Sequence, residues 1–506
     1  MSRISRRRFL AAAASVASAA AVTGAGRPVV GHAFDASDVI RVGVVGLRGR
    51  GQLHMSMLTS IPGFRLAAVC DVDPAVLGSV VESARKRGDQ VRGFQDLRDL
   101  IACQDVDAIT IATPNHWHAL AAIWACQAGK DVYVEKPVSH NIYEGRQLVR
   151  AASEYQRMVQ VGTQARSNPD LSEAVAWVQA GNLGKIEYVR GVCYKPRMSI
   201  GKAGSGTIPP GLNYDLWLGP APNKPLTRKN LHYDWHWVYD YGNGDLGNQG
   251  VHEMDIARWF LGQATLSPRV ISIGGRLGYD DDGETPNTQL VYHAYDGPPL
   301  VFEVRGLPKS KEFQAAELWG ENMDTLEGFS RGRGVGVLVV CEGGQFAVVE
   351  GGESLVAIDH QGRTIRRFEQ VHPQFGRGWG KGDNLHFRNW LQAIRTRDPA
   401  CLTAGVHEGH VSAALCHMGM ISHRLGQPSP ASHIGEQVQR HPLLAERFGA
   451  FCDHLSRNGI DLERTHTMLG PWLDMDPTQE RFMDHPVANE LVGRRYREPF
   501  VVPAIG

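Results

Sequence analysis

The chain has 506 residues, with 53 Lys and Arg against 53 Asp and Glu, 42% hydrophobic residues and 8 cysteines. This composition is typical of a folded globular protein and excludes a low-complexity disordered chain and a small disulfide scaffold. A formal charge of zero gives no general attraction to nucleic acid. No window holds the roughly 18–20 unbroken apolar residues that a stable membrane span needs. The leading class is therefore a soluble enzyme of two domains with appendages.

The first 33 residues predict an export signal. Arg6 and Arg7 precede an Ala-rich apolar run at 11–22, an arrangement typical of a twin-arginine signal, and a disordered basic terminus is the alternative. Removal of residues 1–33 would leave 48 Lys and Arg against 53 Asp and Glu, a net formal charge of −5. We therefore expect the twin-arginine export machinery to be a partner and the protein to reach the periplasm or another exported location.

The eight cysteines are scattered along the chain without a C-x-x-C pair. Several lie inside apolar runs, where a free cysteine behaves as a small hydrophobic residue. We interpret all eight as structural.

From residue 39 onward, short β-branched runs alternate with helical patterns. The runs predicted as strands are 39–45, 64–70, 108–113, 132–134 and 158–161. Such alternation predicts a doubly wound parallel sheet of the Rossmann type. The sequence Asp73-Pro74 marks the start of one helix and Gly129 the end of another. We expect this nucleotide-binding domain to span 38–163.

The sequence pattern then changes to long runs in which apolar and polar residues alternate, without helical patterns between them. After a helix that ends near Gly181, strands are predicted at 185–194, 269–274, 289–295, 300–306, 335–341 and 345–350. They indicate an α/β domain with one large, mostly antiparallel open sheet. Two helices, 383–396 and 404–425, complete a substrate and oligomerisation domain at 164–425. The extension 426–506 would pack across it or onto a partner subunit, and we expect a homo-oligomer.

A glycine-rich turn follows the first strand and opens a helix. In the pattern G-x-G-x-x-G, glycines make a tight turn and let backbone amides approach a pyrophosphate. Gly46 and Gly51 match the pattern, whereas its middle position is Arg48, and the arginines of the turn could themselves pair with phosphate. Glycines kept for steric reasons alone are the alternative. The candidate cofactor residues of this turn are Gly46, Leu47, Arg48, Gly49, Arg50 and Gly51.

Asp71 ends the second predicted strand, 25 residues beyond Gly46. An acid at this place holds the hydroxyls of the adenine ribose in dinucleotide-binding domains. A solvated acid in a turn beside Asp73 is the alternative. The sequence favours NAD over NADP.

Two further motifs lie at strand ends, where ligands bind in a doubly wound sheet. The T-P-N-x-x-H motif consists of Thr113, Pro114, Asn115 and His118, and Glu135, Lys136 and Pro137 form E-K-P. Together with the glycine turn and a later Gly250-x-His252, they make residues 39–425 resemble the Gfo/Idh/MocA oxidoreductase family. The resemblance implies a Rossmann domain, a second domain with an open antiparallel sheet, NAD or NADP, and a sugar or cyclitol substrate. It also implies cofactor contacts at Thr113, Pro114, Asn115, His118, Glu135 and Lys136.

The resemblance also implies catalytic roles. Lys136 matches the catalytic lysine of the family, and Gly250 and His252 match the glycine and histidine of its D-x-G-x-H motif. The aspartate of that motif is Asn248 here, with Asp245 or Asp255 as possible substitutes.

This assignment is chemically reasonable. Moving a hydride from a carbinol to nicotinamide requires a base for the hydroxyl proton and a second group to steady the oxygen. Lys136 and His252 can supply them, because a lysine in a partly dry, cationic pocket has a depressed pKa. A surface lysine and a core or helix-capping histidine are the alternatives.

The stretch 196–241 is rich in aromatic residues that can line a sugar pocket, although each could equally belong to the core. The candidate substrate-binding residues are Arg166, Trp235, Trp237 and His252. A metal site could be imagined from His232, Asp234, His236 and His252, but their spacing matches no zinc pattern. We therefore expect no metal.

Three functions are compatible with these motifs. The first is an exported NAD-dependent oxidoreductase acting on a sugar or sugar derivative. The second is an NAD-dependent glycoside hydrolase or lyase with transient oxidation and no net redox change. The third, a binding or regulatory protein with a dead site, is opposed by the presence of Lys136 and His252. Because free dinucleotide is scarce outside the cytoplasm, we expect tightly bound NAD.

Overall fold

The structure, a computed structural model, describes residues 38–202, 204–313, 334–349, 354–368 and 382–506. The predicted export signal at 1–33 lies outside these residues. Among the described helices, none combines the length and apolar composition that crossing a bilayer requires. All eight cysteines are free thiols, six of them buried.

The first sheet has six parallel strands in the order β3-β2-β1-β4-β5-β6. Its strands are β1 (Ile40–Val45), β2 (Phe64–Cys70), β3 (Arg92–Phe94), β4 (Ala108–Ile111), β5 (Asp131–Val134) and β6 (Val159–Val161). The helices between them are α1 (Gly49–Ser60), α2 (Pro74–Lys86), α3 (Leu97–Ile101), α4 (Asn115–Gln127) and α5 (Ile142–Glu154). The predicted doubly wound parallel sheet is confirmed, and β3 is a strand that the sequence did not indicate.

Helix α2 shows why these boundaries could be read from the sequence. Its N-cap is Asp73, whose carboxylate accepts a hydrogen bond from the backbone amide of Ala75, and Pro74 occupies the first helical position. Both features stabilise a helix start, since proline has no amide to leave unpaired there.

The second sheet is large and mostly antiparallel, as predicted. Its strands run in the order β14-β13-β12-β11-β7-β10-β9-β8-β16-β15, and β7 pairs with β10 in parallel. The central strands are β7 (Ile186–Tyr194), β8 (Arg269–Gly275), β9 (Thr288–Ala294), β10 (Leu300–Arg305), β11 (Val335–Cys341), β12 (Gly344–Val349), β13 (Ser354–Ile358) and β14 (Thr364–Arg367). Short C-terminal strands are β15 (Gln427–Ser429), β16 (Thr467–Leu469), β17 (Leu473–Asp476) and β18 (Arg481–Phe482).

Helices cover both faces of this sheet. The described helices after β6 are α6 (Pro169–Gln179), α7 (Tyr214–Leu218), α8 (Gly244–Asn248), α9 (Gly250–Leu261), α10 (Asp383–Thr396), α11 (Val406–Arg424), α12 (Ala431–Val438), α13 (Pro442–Arg457) and α14 (Pro486–Glu490). Short 3-10 turns occur at Gln164–Ser167, Asp234–Trp237, Lys311–Phe313 and Pro399–Cys401. Helices α9 and α11 share one apolar core with the inner face of the sheet. Helix α13 packs on the opposite face, through Phe448 and Phe451.

Helix α10 packs on the first sheet, although its position in the chain falls within the predicted second domain. The ring of Phe387 stacks on Tyr133 of β5 at 4.4 Å, and Trp390 is fully buried beside both. These residues share a core with β1 and β2. The apolar face of the cofactor-type sheet is therefore completed by a segment more than 200 residues further along the chain.

The C-terminal extension packs across both domains of the same chain. Strands β16 and β17 pair with β8 and widen the second sheet. After α14, the chain returns to the first domain, where Phe500 is buried against Trp117 and Trp124 of α4.

Candidate active site

The turn between β1 and α1 requires glycine at two positions. Gly46 has a φ of +83°, and a Cβ there would lie 2.6 Å from the carbonyl oxygen of Ala112. A Cβ on Gly51 would collide with the carbonyl oxygen of Gly46. Because side chains are excluded here, the backbone at the start of α1 can approach a ligand closely, as anion-binding helix N-termini do.

Asp71 ties this turn to the end of β2. One carboxylate oxygen accepts a hydrogen bond from the amide of Leu47 at 3.0 Å, and the other accepts from the amide of Asp73 at 3.0 Å. Burial raises the pKa of Asp71, and these two amides oppose the shift. The carboxylate therefore already steadies the glycine turn, in addition to the ribose contact predicted for it.

A cavity of about 500 Å³ lies over the carboxyl ends of the first-sheet strands. Every predicted cofactor-binding residue except Gly51 lines it, so the cavity extends from Asp71 at β2 to Lys136 at β5. The opposite wall comes from the aromatic stretch and from α8, with the residues Leu216, Trp217, Asn230, His232, Tyr233, Trp235, His236 and Asn248. The glycine cradle and this lining fit a dinucleotide laid across the strand ends.

We call residues 211–241 the roof segment, because they cover this cavity. The carbonyl of Trp217 lies 2.9 Å from Nε2 of His116, and Nε1 of Trp117 donates to the carbonyl of Leu216 at 3.0 Å. At the other end of the cavity, Nε2 of His232 lies 3.1 Å from the Asp73 carboxylate. The aromatic stretch thus closes over the cavity at the strand ends.

Lys136 is the titratable group at the centre of the site. Its Nζ donates a hydrogen bond to the carbonyl oxygen of Asn248 at 2.8 Å. Burial, which penalises the ammonium, lowers the pKa of Lys136 to about 8, against the opposing charge of Glu135. A pKa of about 8 leaves a minor but accessible fraction of neutral amine near neutral pH, and the neutral amine is the form that a proton acceptor requires.

His252 lies in the first turn of α9, four residues after Asn248, and is buried. Burial and then the Lys136 charge hold its pKa well below the usual value for histidine. His252 is therefore neutral and can accept or donate a hydrogen bond without carrying charge.

The two candidate replacements for the missing motif aspartate are engaged elsewhere. Asp245 is paired with Arg197, whose Nη2 lies 2.9 Å from its carboxylate. Asp255 accepts a hydrogen bond from Ser412 at 2.7 Å and forms an ion pair with Arg166 at 2.8 Å. In their place, the backbone carbonyl of Asn248 accepts from Lys136.

Three of the four predicted substrate residues, Arg166, Trp237 and His252, are not among the residues that line the cavity. Arg166 is held by Asp255 and by Glu408, the latter at 3.1 Å, because a buried guanidinium requires carboxylate partners. Trp237 packs under the guanidinium of Arg197 and against Tyr233. Trp235 lines the cavity, stacked on His236 with ring centroids 3.7 Å apart.

Arg50 forms a buried ionic cluster below the turn. Its Nη2 lies 2.7 Å from the Glu135 carboxylate and 2.8 Å from that of Asp383 on α10. Burial alone would raise the pKa of Glu135, but Arg50 and then His54 overcome it and hold that pKa well below the usual range. Of the two turn arginines considered for phosphate, Arg50 is thus committed to carboxylates, and Arg48 is exposed.

The T-P-N and E-K-P motifs are joined through His118. Its Nδ1 lies 2.6 Å from the carbonyl oxygen of Pro137, and its Nε2 lies 2.8 Å from that of Thr113. Asn115 donates to the side chain of Asn243 at 3.0 Å, which connects the first domain to the α8 region. His118 and Asn115 therefore hold the strand ends and the second domain in register around the cavity.

Sequence reasoning missed two ionisable groups beside the site, one half-buried and one fully buried. Nζ of Lys195, just after β7, donates to the side-chain oxygen of Gln249 at 3.1 Å, and burial lowers its pKa. Glu253 is fully buried, and burial raises its pKa to about 8. The position of Glu253 next to His252 in the motif is the signal that could have indicated it.

Across the described ranges, no three His, Cys, Asp or Glu side chains are grouped as metal ligands. Two histidines of the metal site considered from the sequence have other partners. His232 lies against Asp73, and Nδ1 of His236 lies against the carbonyl of Tyr233.

Comparison with known proteins agrees with this geometry. Residues 40–163 match the model described as "Oxidoreductase family, NAD-binding Rossmann fold" of GFO_IDH_MocA. Residues 189–329 match the corresponding "Oxidoreductase family, C-terminal alpha/beta domain".

Similar curated proteins come from Shewanella. A "Glycosyl hydrolase family 109 protein" of Shewanella baltica (strain OS185) is 35% identical over 153 residues, 29% of this chain and 33% of that protein. An "Alpha-N-acetylgalactosaminidase" of Shewanella oneidensis is 32% identical over 177 residues, 31% of this chain and 39% of that protein. The chain thus matches only about a third of the length of these relatives.

Solved structures share the fold at low sequence identity. The WlbA dehydrogenase from Bordetella pertussis, in complex with NADH and UDP-GlcNAcA, is 20% identical with a TM-score of 0.54, covering 76% of this chain and 95% of that chain. Levoglucosan dehydrogenase in complex with NADH and levoglucosan is 18% identical with a TM-score of 0.54, covering 75% and 95%. The two matched domains contain the strand-end motifs, and the chain belongs to the Gfo/Idh/MocA oxidoreductase family.

Proposed function

We propose that this chain is an exported NAD-dependent oxidoreductase that transfers a hydride between a carbinol carbon of a sugar or sugar derivative and nicotinamide. The observation that carries the proposal is the half-buried Lys136 amine, with a pKa of about 8, which lines the same cavity as the glycine turn. A base and a dinucleotide cradle at opposite ends of one cavity are the components that alcohol oxidation requires.

Different residues of the cavity would bind different parts of NAD. The amides at the start of α1 face the pyrophosphate position, and Asp71 is placed for the adenine ribose. Lys136 and Glu135 lie at the nicotinamide end of the same cavity. When bound, NAD supplies the ring carbon that takes the hydride.

Lys136 acts on the substrate hydroxyl. In its neutral form the amine accepts the hydroxyl proton as the carbinol carbon gives up its hydride, and the resulting ammonium remains bound to the Asn248 carbonyl. Neutral His252 steadies the same oxygen by hydrogen bonding. The carbonyl of Asn248 thus stabilises the ammonium that forms. A carboxylate would otherwise have this role.

The roof segment supports a sugar as the substrate. Trp235 and His236 stack with an interplanar angle of 20° and present a flat surface at the cavity, and such surfaces contact the apolar faces of sugar rings. Proteins of the same fold have been crystallised with levoglucosan and with UDP-GlcNAcA. Export is supported by the sequence around Arg6 and Arg7.

The second candidate is glycoside cleavage without net redox change, and the similarity to glycosyl hydrolase family 109 proteins favours it. Oxidation of a ring carbon would acidify the neighbouring C–H, and loss of that proton would expel the aglycone. Water would then add to the double bond, and the ring carbon would take back the hydride. Lys136 would accept the hydroxyl proton in the first step and return it in the last.

One experiment separates these outcomes. Purified protein is analysed by mass spectrometry for NAD, and it is then offered sugars and glycosides, including N-acetylgalactosaminides, with and without added NAD. Stoichiometric sugar oxidation that consumes added NAD supports the first candidate, whereas aglycone release without added NAD supports the second. Protein that binds no dinucleotide would refute both.

A further inference from the structure

The C-terminal residues 494–502, which we call the C-terminal clasp, lie against the outer side of the roof segment. They approach the roof from the first-domain side, where α4 contributes residues to the cavity. Their three main contacts come from Arg494, Arg497 and Phe500.

Arg497 binds the helix α7 part of the roof. Its Nη2 donates to the carbonyl of Asp215 at 2.8 Å, and its Nε donates to the carbonyl of Gly219 at 3.2 Å. Its Nη1 forms an ion pair with the Asp215 carboxylate. One guanidinium therefore contacts two carbonyls of the α7 region, and the carbonyl of Asp215 also accepts the hydrogen bond from the Gly219 amide that caps the helix.

Arg494 binds the other end of the roof. It donates to the carbonyl of Asp240 at 2.9 Å and to that of His116 at 3.4 Å, which connects the roof to the first turn of α4. It also lies 3.4 Å from the buried carboxylate of Glu144 on α5.

Phe500 supports the roof indirectly, through Trp117. Its ring is 1% exposed and meets Trp117 edge-on with a centroid distance of 5.5 Å. Trp117 in turn donates its indole hydrogen to the carbonyls of Leu216 and Trp217, two residues that line the cavity. Phe500 thus fixes the tryptophan that holds the roof.

We propose that the C-terminal clasp keeps the roof segment closed over the cofactor cavity, so that NAD remains bound through successive turnovers, with Arg497 as a positioning residue. This inference rests on the proposed binding of NAD. Roof residues line the cavity opposite the strand ends, so separation of the roof from the strand ends would widen the exit for a ligand lying between Asp71 and Lys136. While Arg494 and Arg497 hold both ends of the roof, that separation breaks several charge-assisted hydrogen bonds at once.

The test compares R497A with R495A in the full-length protein. Both variants remove one arginine from the same segment, but Arg495 is exposed. NADH release is measured from its fluorescence after mixing with excess NAD. The contacts of Arg497 with Asp215 are exposed, and one exposed charged pair is worth up to a factor of about five, so R497A, which loses all three contacts, should speed release by about fivefold or more. R495A should release NADH at the wild-type rate.

A second variant keeps the test decisive if R497A does not fold. D215A removes the roof partner of the ion pair at an exposed position and should also speed release. The double variant D215A/R497A should be less than additive, because both changes break the same contact. Wild-type release rates in folded R497A, or in D215A if R497A does not fold, would overturn the clasp.

These results also separate the clasp from the proposed function. If the wild-type protein binds no NADH, the proposed function is refuted and the clasp with it. If it binds NADH but R497A releases it at the wild-type rate, only the clasp is refuted.

Discussion

The ammonium of Lys136 donates a 2.8 Å hydrogen bond to the backbone carbonyl of Asn248, a residue 112 positions away in the chain. The contact joins the end of β5 to the end of α8, so the two domains meet at the proton-transfer group. A backbone carbonyl cannot be protonated at neutral pH and cannot share the role of base. In the proposed mechanism, Lys136 is therefore the partner of this contact that exchanges a proton with the substrate.

Replacement of this lysine should separate chemistry from cofactor binding. K136M keeps much of the packing of the stem and removes the amine, so turnover should fall by about 100-fold or more. NAD affinity should change little, because the glycine turn and Asp71 hold the other end of the cofactor. H252N should slow turnover less, and the two changes should be less than additive.

Turnover is measured under substrate saturation, and NAD affinity is measured by calorimetry. K86M serves as the control, since Lys86 is a surface residue whose side chain is 74% exposed. Normal turnover in K136M on a confirmed substrate would remove Lys136 from the mechanism.

The depressed pKa of Lys136 predicts the pH dependence of oxidation. The amine is protonated below its pKa of about 8 and neutral above it. Only the neutral form accepts a proton, so kcat/KM should rise with pH and level off above about 8. The pKa of His252 lies well below the usual value, so its titration should not affect this rise. A kcat/KM that stays flat between about pH 6 and about pH 9 would contradict the assignment of the base.

Asp71 should select NAD over NADP. A 2′-phosphate about 4 Å from its carboxylate would be repelled by about 4 kcal/mol per unit charge at an effective dielectric of about 20, or roughly a thousandfold in affinity. D71N keeps an oxygen that can accept from an amide, so it should lose most of this discrimination without losing the turn. Calorimetry on protein stripped of cofactor gives both affinities.

Arg48 provides the internal check on that prediction. It is the exposed arginine of the turn, and R48A should widen the preference for NAD if this side chain compensates the phosphate charge. Equal affinity of the wild-type protein for NAD and NADP would contradict the role of Asp71.

The Arg50 cluster should matter for stability. R50A would leave the carboxylates of Glu135 and Asp383, 5% and 2% exposed, without their shared cation. Breaking a buried ion pair in this way lowers the free energy of unfolding by about 3 kcal/mol or more. R48A, two residues away and exposed, should change it by less than about 0.5 kcal/mol. Denaturant titration of both variants checks this, and equal stability would contradict the cluster's role.

Export should depend on the paired arginines. Lysine at positions 6 and 7 keeps the charge but not the recognised pair, so the variant R6K/R7K should remain in the cytoplasm as a precursor. The variant R3K, outside the pair, should be exported normally. Fractionation and blotting measure both, and an unchanged protein found only in the cytosol would contradict export.

The sequence predicted the features that are encoded locally. The glycines at 46 and 51, the acid at the end of β2 and the lysine at the end of β5 each follow a strand, and strand ends of a parallel sheet meet at one edge. Strand β3 was missed because its three residues, Arg92–Phe94, carry no alternating apolar pattern and are largely exposed. Strands that bury apolar side chains were therefore predicted, whereas the largely exposed strand β3 was not.

Contacts between distant segments could not be predicted in this way. The partner of Arg50 on α10 lies 333 positions away, and no local pattern in the turn distinguishes a phosphate ligand from a carboxylate ligand. The raised pKa of Glu253 likewise depends on its complete burial. The roof segment was recognised by its aromatic residues, but its position over the cofactor cavity depends on α4 and the C-terminal clasp.

The packing of α10 on the first sheet has a consequence for biosynthesis. Phe387 and Trp390 complete the apolar face that includes Tyr133. Until the ribosome has released residue 396, the last of α10, the nascent first domain exposes that face to water. Domains whose segments are contiguous can fold as soon as they emerge. This one has to wait for most of the chain, and its uncovered apolar face favours aggregation during that interval.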